Sequence, residues 1–268
     1  MQLAVPFPSD LPVVCPGFAL HLERAAGVAG VRTLMAGEFE YDGRTYAIPR
    51  IEFIGAEVNR LPLVCIGLFA GIHGDEPAGC AAVIRLFEML AEKPEFAAGY
   101  HLVAYPLCNP TGLEDSTRHN RAGLDLNREF WRGSAEPEVR ILERELREQR
   151  FEGVVTLHAD DTCDGLYGYS HGCTINEALL KPALLASERV LPRDRRMNID
   201  GFSAIDGIIC DCFKGILTAP PDQHPRPFDL IFETPARAPE ELQVEAAVLA
   251  LRSILDEYRG FIAQGENL

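Results

Sequence analysis

Positive charge is what this chain has least of: 25 lysines and arginines stand against 40 aspartates and glutamates, a formal net charge of −15. A field of that sign repels phosphate backbones, so nucleic acid is excluded as a partner. Long apolar runs are missing as well. Nowhere do about 18 apolar residues follow one another, as a spanning helix needs, and no membrane association is expected. The first ten residues lack a basic start, and Pro6, Pro8 and Asp10 interrupt any apolar stretch, which predicts no secretory leader. Repeats and low-complexity tracts are absent too, and the most linker-like stretch, 218–227, is too short to separate domains. Eight cysteines suit a disulfide framework only in a small secreted chain. Reduced thiols and a cytoplasmic location are therefore expected, and Cys210-Asp-Cys212 misses the spacing of a zinc pair.

What is present is enough apolar material for a full core: 47% of 268 residues. That predicts one domain over 1–268, with 1–60 supplying N-terminal strands and a hairpin. The hairpin is read over 37–55 around Asp42-Gly43. After it the periodicity alternates. Apolar runs at 63–70, 100–107, 153–158 and 228–233 read as strands, and helical stripes cover 78–90, 137–150, 176–190 and 240–261. Strands alternating with helices predict an α/β fold, a mostly parallel mixed sheet with helices on both faces. In such folds ligands gather outside the carboxyl ends of the strands. The polar residues that follow those runs are thus candidates for one site, although they are scattered along the chain.

His73-Gly-Asp-Glu76 sets an imidazole and a carboxylate three residues apart, between a strand and a helix. Alone this also fits a solvated turn whose acids favour the helix start. His158, at another strand end, would complete a His2Glu set with an open fourth position, the ligand set of a catalytic zinc. Residues 109–130 form a long polar loop crowded with donors, and long ordered loops are uncommon unless they serve a function. Glu233 ends an apolar strand, where burial raises a carboxyl pKa toward a range useful for proton transfer. His171 reads as a lone structural histidine.

The series Gly71-x-His73-x-x-Glu76, Asn109-Pro-x-Gly112, Arg118-x-Asn120-x-x-Gly123-x-Asp125-Leu-Asn127-Arg128, Leu157-His158 and Phe232-Glu233-Thr-Pro235 resembles the zinc carboxypeptidase family, particularly its short bacterial members. The resemblance implies a carboxypeptidase-like fold and Zn2+ held by His73, Glu76 and His158. It implies that Asp125 orients the first histidine, and that Glu233 takes a proton from a zinc-bound water and passes it to the leaving amine. Arg118 matches the arginine that stabilises the oxyanion, and Asn127 with Arg128 matches the pair that grips a substrate's free carboxylate. The activity so implied is hydrolysis of an amide bond next to that carboxylate, by a carboxypeptidase or peptide amidase.

A related group, the aspartoacylases and succinylglutamate desuccinylases, shares the pattern and implies N-acyl amino acids as substrates instead. That group usually carries a β-domain after the glutamate, whereas one helix and a short tail follow Glu233 here. The peptidase reading is preferred on that ground. Two departures stand out. No tyrosine lies between Tyr169 and Tyr258, so the tyrosine that digestive carboxypeptidases carry shortly before their glutamate has no counterpart. Asp160 and Asp161 follow His158 closely, and a loop cap is favoured there over a second cation.

Overall fold

Asp42 and Gly43 both take positive φ, 50° and 73°, the conformation a two-residue hairpin favours. In the computed structural model they fold β1 (Val31–Tyr41) back on β2 (Arg44–Ile54), the hairpin expected from the sequence. The structure describes residues 27–58, 62–170 and 172–265. The leaderless reading of residues 1–10 and the reading of His171 fall outside them.

Beyond the hairpin, each apolar run forms the strand expected of it. These are β3 (Val64–Ala70), β4 (Tyr100–Tyr105), β5 (Gly153–Asp160) and β10 (Phe228–Pro235). Both β5 and β10 run two residues past the expected ends, so His158 and Glu233 lie inside strands and do not close them. Among the described residues one ten-stranded sheet has the order β1-β2-β4-β3-β5-β10-β6-β9-β8-β7. Its centre, β4-β3-β5-β10, is parallel, and β2 and β6 flank it antiparallel. The small strands β6 (Tyr167–Ser170), β7 (Asn198–Ile199), β8 (Phe202–Ile205) and β9 (Ile208–Ile209) were not anticipated. Each is too short to show a period.

Strand alternation sends each run to two cores. Ile66, Leu68 and Ala70 of β3 pack on one face beneath α1 (Pro77–Glu92) and the long C-terminal helix, while Phe69 points to the other. That second face is covered by α3 (Pro137–Gln149), through Val139, Leu142 and Leu146. The short helix α4 (Lys181–Ser187) and the C-terminal helix α5 (Glu240–Gly265) share the first face, α5 through Val244, Ala247, Leu251 and Ile254. Burying each of the larger of these side chains is worth roughly 1.5–3 kcal/mol. Helices on both faces of a mixed sheet with a parallel centre agree with the α/β fold that the periodicity predicted. Residues 110–128 are less irregular than expected: Pro110–Asp115 forms a short helix, α2, capped by the Asn109 side chain, and Leu126–Arg128 forms a 3-10 turn. None of the described helices is long and apolar enough to cross a membrane. The six described cysteines are free thiols.

Candidate active site

Chain geometry at the end of β3 is set by close backbone approach. Gly71 takes φ of 64° as the strand turns out of the sheet. A Cβ on Gly74 would meet the Gly112 backbone at 1.9 Å, so the His73 turn and the α2 turn interlock only through their missing side chains. Asn109 locks the join: its Oδ1 accepts from Gly112 N at 2.9 Å and its Nδ2 donates to Ile72 O at 3.3 Å. The Asn109-Pro-x-Gly112 motif is therefore a positioning device for the His73 turn.

His73, Glu76 and His158 converge, with one ligand atom of each within 4.8 Å of the others. The two Nδ1 atoms lie 3.3 Å apart, Glu76 Oε1 is 2.6 Å from His73 Nδ1, and Oε2 is 3.0 Å from His158 Nδ1. Around an ion with bonds of about 2.0–2.1 Å, tetrahedral ligands sit about 3.3–3.4 Å apart, so two imidazole nitrogens facing each other at this separation suit zinc. Two imidazoles and one carboxylate are also the donor set of a catalytic zinc. All three residues are buried, at 3–6% exposure. An uncompensated carboxylate at that depth would be costly, and a cation is the natural partner. Ala159 N donates to Glu76 Oε2 at 3.0 Å and fixes its orientation.

Behind this group Asp125 serves three neighbours. Its Oδ1 lies 3.3 Å from His73 Nε2 and accepts from Asn127 N at 2.9 Å, while its Oδ2 accepts from Arg118 Nε at 3.2 Å. Arg118 also reaches Glu76 Oε1, at 3.6 Å from Nη1. Burial alone would raise the Asp125 carboxyl, but the His73 hydrogen bond and the charges of His73 and Arg118 hold it well below its ordinary range. Burial likewise presses His73 toward its neutral form, and the Glu76 charge with the Asp125 contact outweighs it and raises the imidazole pKa. At His158 burial wins, and the pKa is lowered, which favours the neutral, ligating form.

Glu233 stands in parallel register beside His158 and in antiparallel register with Tyr167. Burial, then the charges of Glu76 and Asp160, drive its carboxyl well above the usual carboxylate range. Arg128 stacks over the Phe213 ring at 4.2 Å and donates from Nη1 to Asn127 O. Asn127 is more buried than a substrate-gripping residue needs: its Oδ1 accepts from Leu217 N at 2.8 Å, so only its NH2 group is left to donate. Asp160 accepts from Thr162 N, from the Thr162 hydroxyl and from the Tyr167 hydroxyl. It is a loop cap, as expected.

All eight residues singled out in the sequence fall in or against one cleft of about 390 Å³; Asp125 stands behind it and the other seven line it. Asp75, Asp161 and Asp200 add acids to its lining. Tyr167 and Tyr169 on β6 also line it and were missed. Their i, i+2 spacing, which puts both rings on one strand face, was the available signal.

Residues 64–162 match the sequence model of the succinylglutamate desuccinylase/aspartoacylase catalytic domain. Over 150 residues, 44% of the chain, it is 27% identical to carboxypeptidase SOL1 of Arabidopsis thaliana, and that stretch spans only 30% of the relative. Among solved structures, a candidate metallopeptidase from Shewanella denitrificans superposes with a TM-score of 0.74 at 21% identity, covering 95% of this chain and 98% of that one. A metallo-carboxypeptidase from Burkholderia cenocepacia superposes at 0.72 with 15% identity, covering 93% and 70%. Carboxypeptidase A of Helicoverpa armigera follows at 0.62 and 18%, covering 90% and 71%. The fold is carboxypeptidase-like.

Proposed function

We propose that the protein is a zinc-dependent metallopeptidase, one catalytic domain that hydrolyses an amide bond beside a free carboxylate. The observation that carries this reading is the meeting of His73 and Glu76, from the turn after β3, with His158 inside β5, and Glu233 in register beside His158 on β10. A zinc ion held by those three would lower the pKa of its water to about 7 and polarise the scissile carbonyl.

The remaining work falls to the chain. Glu233 accepts the proton of the attacking water on its carboxylate and later delivers it to the leaving amine. A carboxyl whose burial raises its pKa holds that proton between the two steps. Arg118, anchored by Asp125 and pointed toward Glu76, offers a fixed cation where negative charge grows on the carbonyl oxygen. Arg128 presents a guanidinium to the substrate carboxylate, with the Asn127 NH2 as a second donor. Stacking on Phe213 restricts the Arg128 fork before substrate arrives.

The match over residues 64–162 favours a second reading, deacylation of an N-acyl amino acid. It uses the same three ligands and the same base, keeps the free carboxylate on the amine side of the bond, and differs in the carbonyl side, a small acyl group in place of a peptide. Peptides with free or amidated C-termini, assayed beside N-acyl amino acids on protein of measured zinc content, separate the two. Cleavage of free-carboxylate peptides with one zinc per chain is expected. Turnover of the acylated amino acids alone would replace the peptidase reading, and a chain that takes up no zinc would end both.

A further inference from the structure

Glu233 is the middle residue of a row that crosses three strands. It pairs in parallel with His158 on β5 and in antiparallel with Tyr167 on β6, and paired residues share one face of a sheet. Tyr167 is 1% exposed, and directly opposed residues such as Tyr167 and Glu233 hold their Cβ atoms about 4.5–5.5 Å apart. The far end of the Tyr167 ring reaches across the row. Its hydroxyl donates to Asp160 Oδ2 at 2.8 Å, and Asp160, two residues beyond His158, lies on the same face of β5. Strand β10 runs between β6 and β5, so the phenol ring passes over it beside the Glu233 side chain. Burial, and after it the Glu233 charge, raises the pKa of the phenol, which stays a donor. The anchor is itself fixed, because Thr162 N and the Thr162 hydroxyl donate to Asp160 Oδ1 at 2.7 and 2.8 Å.

Glu233 has no such tether. Among the described residues no hydrogen bond reaches its carboxylate, as suits a group that must take and give a proton. Its direction is therefore left to packing. We propose that Tyr167 is the positioning residue of the candidate base: its ring, tied to Asp160 across β10, holds the Glu233 carboxylate on the His158 side of the row. The proposal rests on Glu233 being the proton carrier of the proposed reaction and adds what aims it. Tyr167 takes no chemical step of its own.

Tyr169 provides the contrast. It stands two residues on, on the same face of β6, and its hydroxyl also ends on a carboxylate, that of Asp200 at 2.9 Å. Asp200 lies in the turn between β7 and β8, on the side of β6 away from β10, so this tether leads away from Glu233. The Tyr169 ring packs edge-on against Tyr167 at 5.7 Å and supports it. Releasing the Tyr167 hydroxyl misplaces the base without removing it. A displacement on the order of 1 Å at a reacting group costs up to about 10²-fold in rate, and Tyr167→Phe keeps the ring, so a loss of roughly tenfold is expected.

The test compares wild type, Tyr167→Phe, Glu233→Gln and the double variant, each loaded with zinc, on the amide substrate that the wild type cuts. Tyr167→Phe should hold zinc at the wild-type stoichiometry and lose kcat roughly tenfold, with KM within about twofold of wild type. In the Glu233→Gln background the same substitution should cost less than about twofold, because no carboxylate is left to aim. Crystal structures supply a readout that needs no turnover: Glu233 should keep a single rotamer toward His158 in the wild type and should turn away or spread over several in Tyr167→Phe. Unchanged kcat would overturn the proposal, and a raised KM at constant kcat would make Tyr167 a wall for substrate instead. The same tenfold loss in the Glu233→Gln background, or an unmoved Glu233 in the variant structure, would overturn it equally. A wild type that cuts no amide refutes the proposed function alone, and the rotamers then decide the role of Tyr167.

Discussion

On one side of the cleft, residues 109–128 are held by polar bonds: Asn109 to the Gly112 and Ile72 backbones, Asp125 to Arg118, His73 and Asn127, Asn120 to Glu136. On the other side, β6 to β9 are held by rings. Tyr167 packs edge-on against Tyr169 at 5.7 Å, Tyr169 against Phe202 at 6.0 Å, and Phe202 against Phe213 at 4.8 Å. The polar wall fixes directions to within a hydrogen bond, as a reacting group requires. The ring wall fixes shape and tolerates exchange of one apolar residue for another. On the proposed reading chemistry belongs to the first wall and to β5 and β10, and selectivity to the second.

The largest effects should come from β10 and β5. Glu233→Gln is expected to keep zinc at the wild-type stoichiometry while kcat falls about 10³-fold, within the usual span for loss of a general acid-base. His158→Ala should lose the zinc itself. Metal analysis beside steady-state kinetics checks both, and turnover that survives Glu233→Gln would remove that residue from the reaction. A smaller loss is expected on the polar wall. Arg118→Ala should lower kcat about 10²-fold with KM little changed, the pattern of a contact made mainly in the transition state. A rise in KM at constant kcat would turn Arg118 into a substrate clamp and erase the division between the walls.

The polar wall was also the legible one. The His73 and Glu76 spacing is a weak signal alone; His158 at another apolar run's end and the ordered series of motifs resembling the zinc carboxypeptidases are what pointed to the three together. The central strands were legible for a similar reason, since β3, β5 and β10 are continuous apolar runs buried on both faces. The ring wall left no comparable trace. Its strands are two to four residues long, and its tyrosines and Asp200 are common residues whose meaning comes only from the pairing of β6 with β10. Asn127, a motif position assigned to substrate, also anchors the Leu217 backbone through its Oδ1, a second task that the motif does not reveal.

If the walls differ in kind, they should also differ in their response to pH. Glu138, at the start of α3 beneath the polar wall, is 2% exposed, and its Oε2 has no hydrogen-bond partner among the described residues. Burial, and then the neighbouring Glu136 charge against its own backbone contact, pushes its pKa up from 4.5 to about 7. A carboxyl raised in the folded state binds more protons there than in the unfolded chain. Its contribution to stability is therefore full below about pH 4.5 and is lost as pH climbs through 7. At 1.36 kcal/mol per pKa unit the loss is about 3 kcal/mol at most. Glu138→Gln, neutral at every pH, should accordingly be more stable than wild type by about 1–3 kcal/mol at pH 8 and should lose that advantage toward pH 4.5. Denaturant midpoints of the two proteins, compared pH by pH, cancel the opposing slopes of the other carboxyls. A difference that stays constant from pH 4.5 to 8 would mean that water reaches Glu138, and the polar wall would then rest on a softer support than its hydrogen bonds suggest.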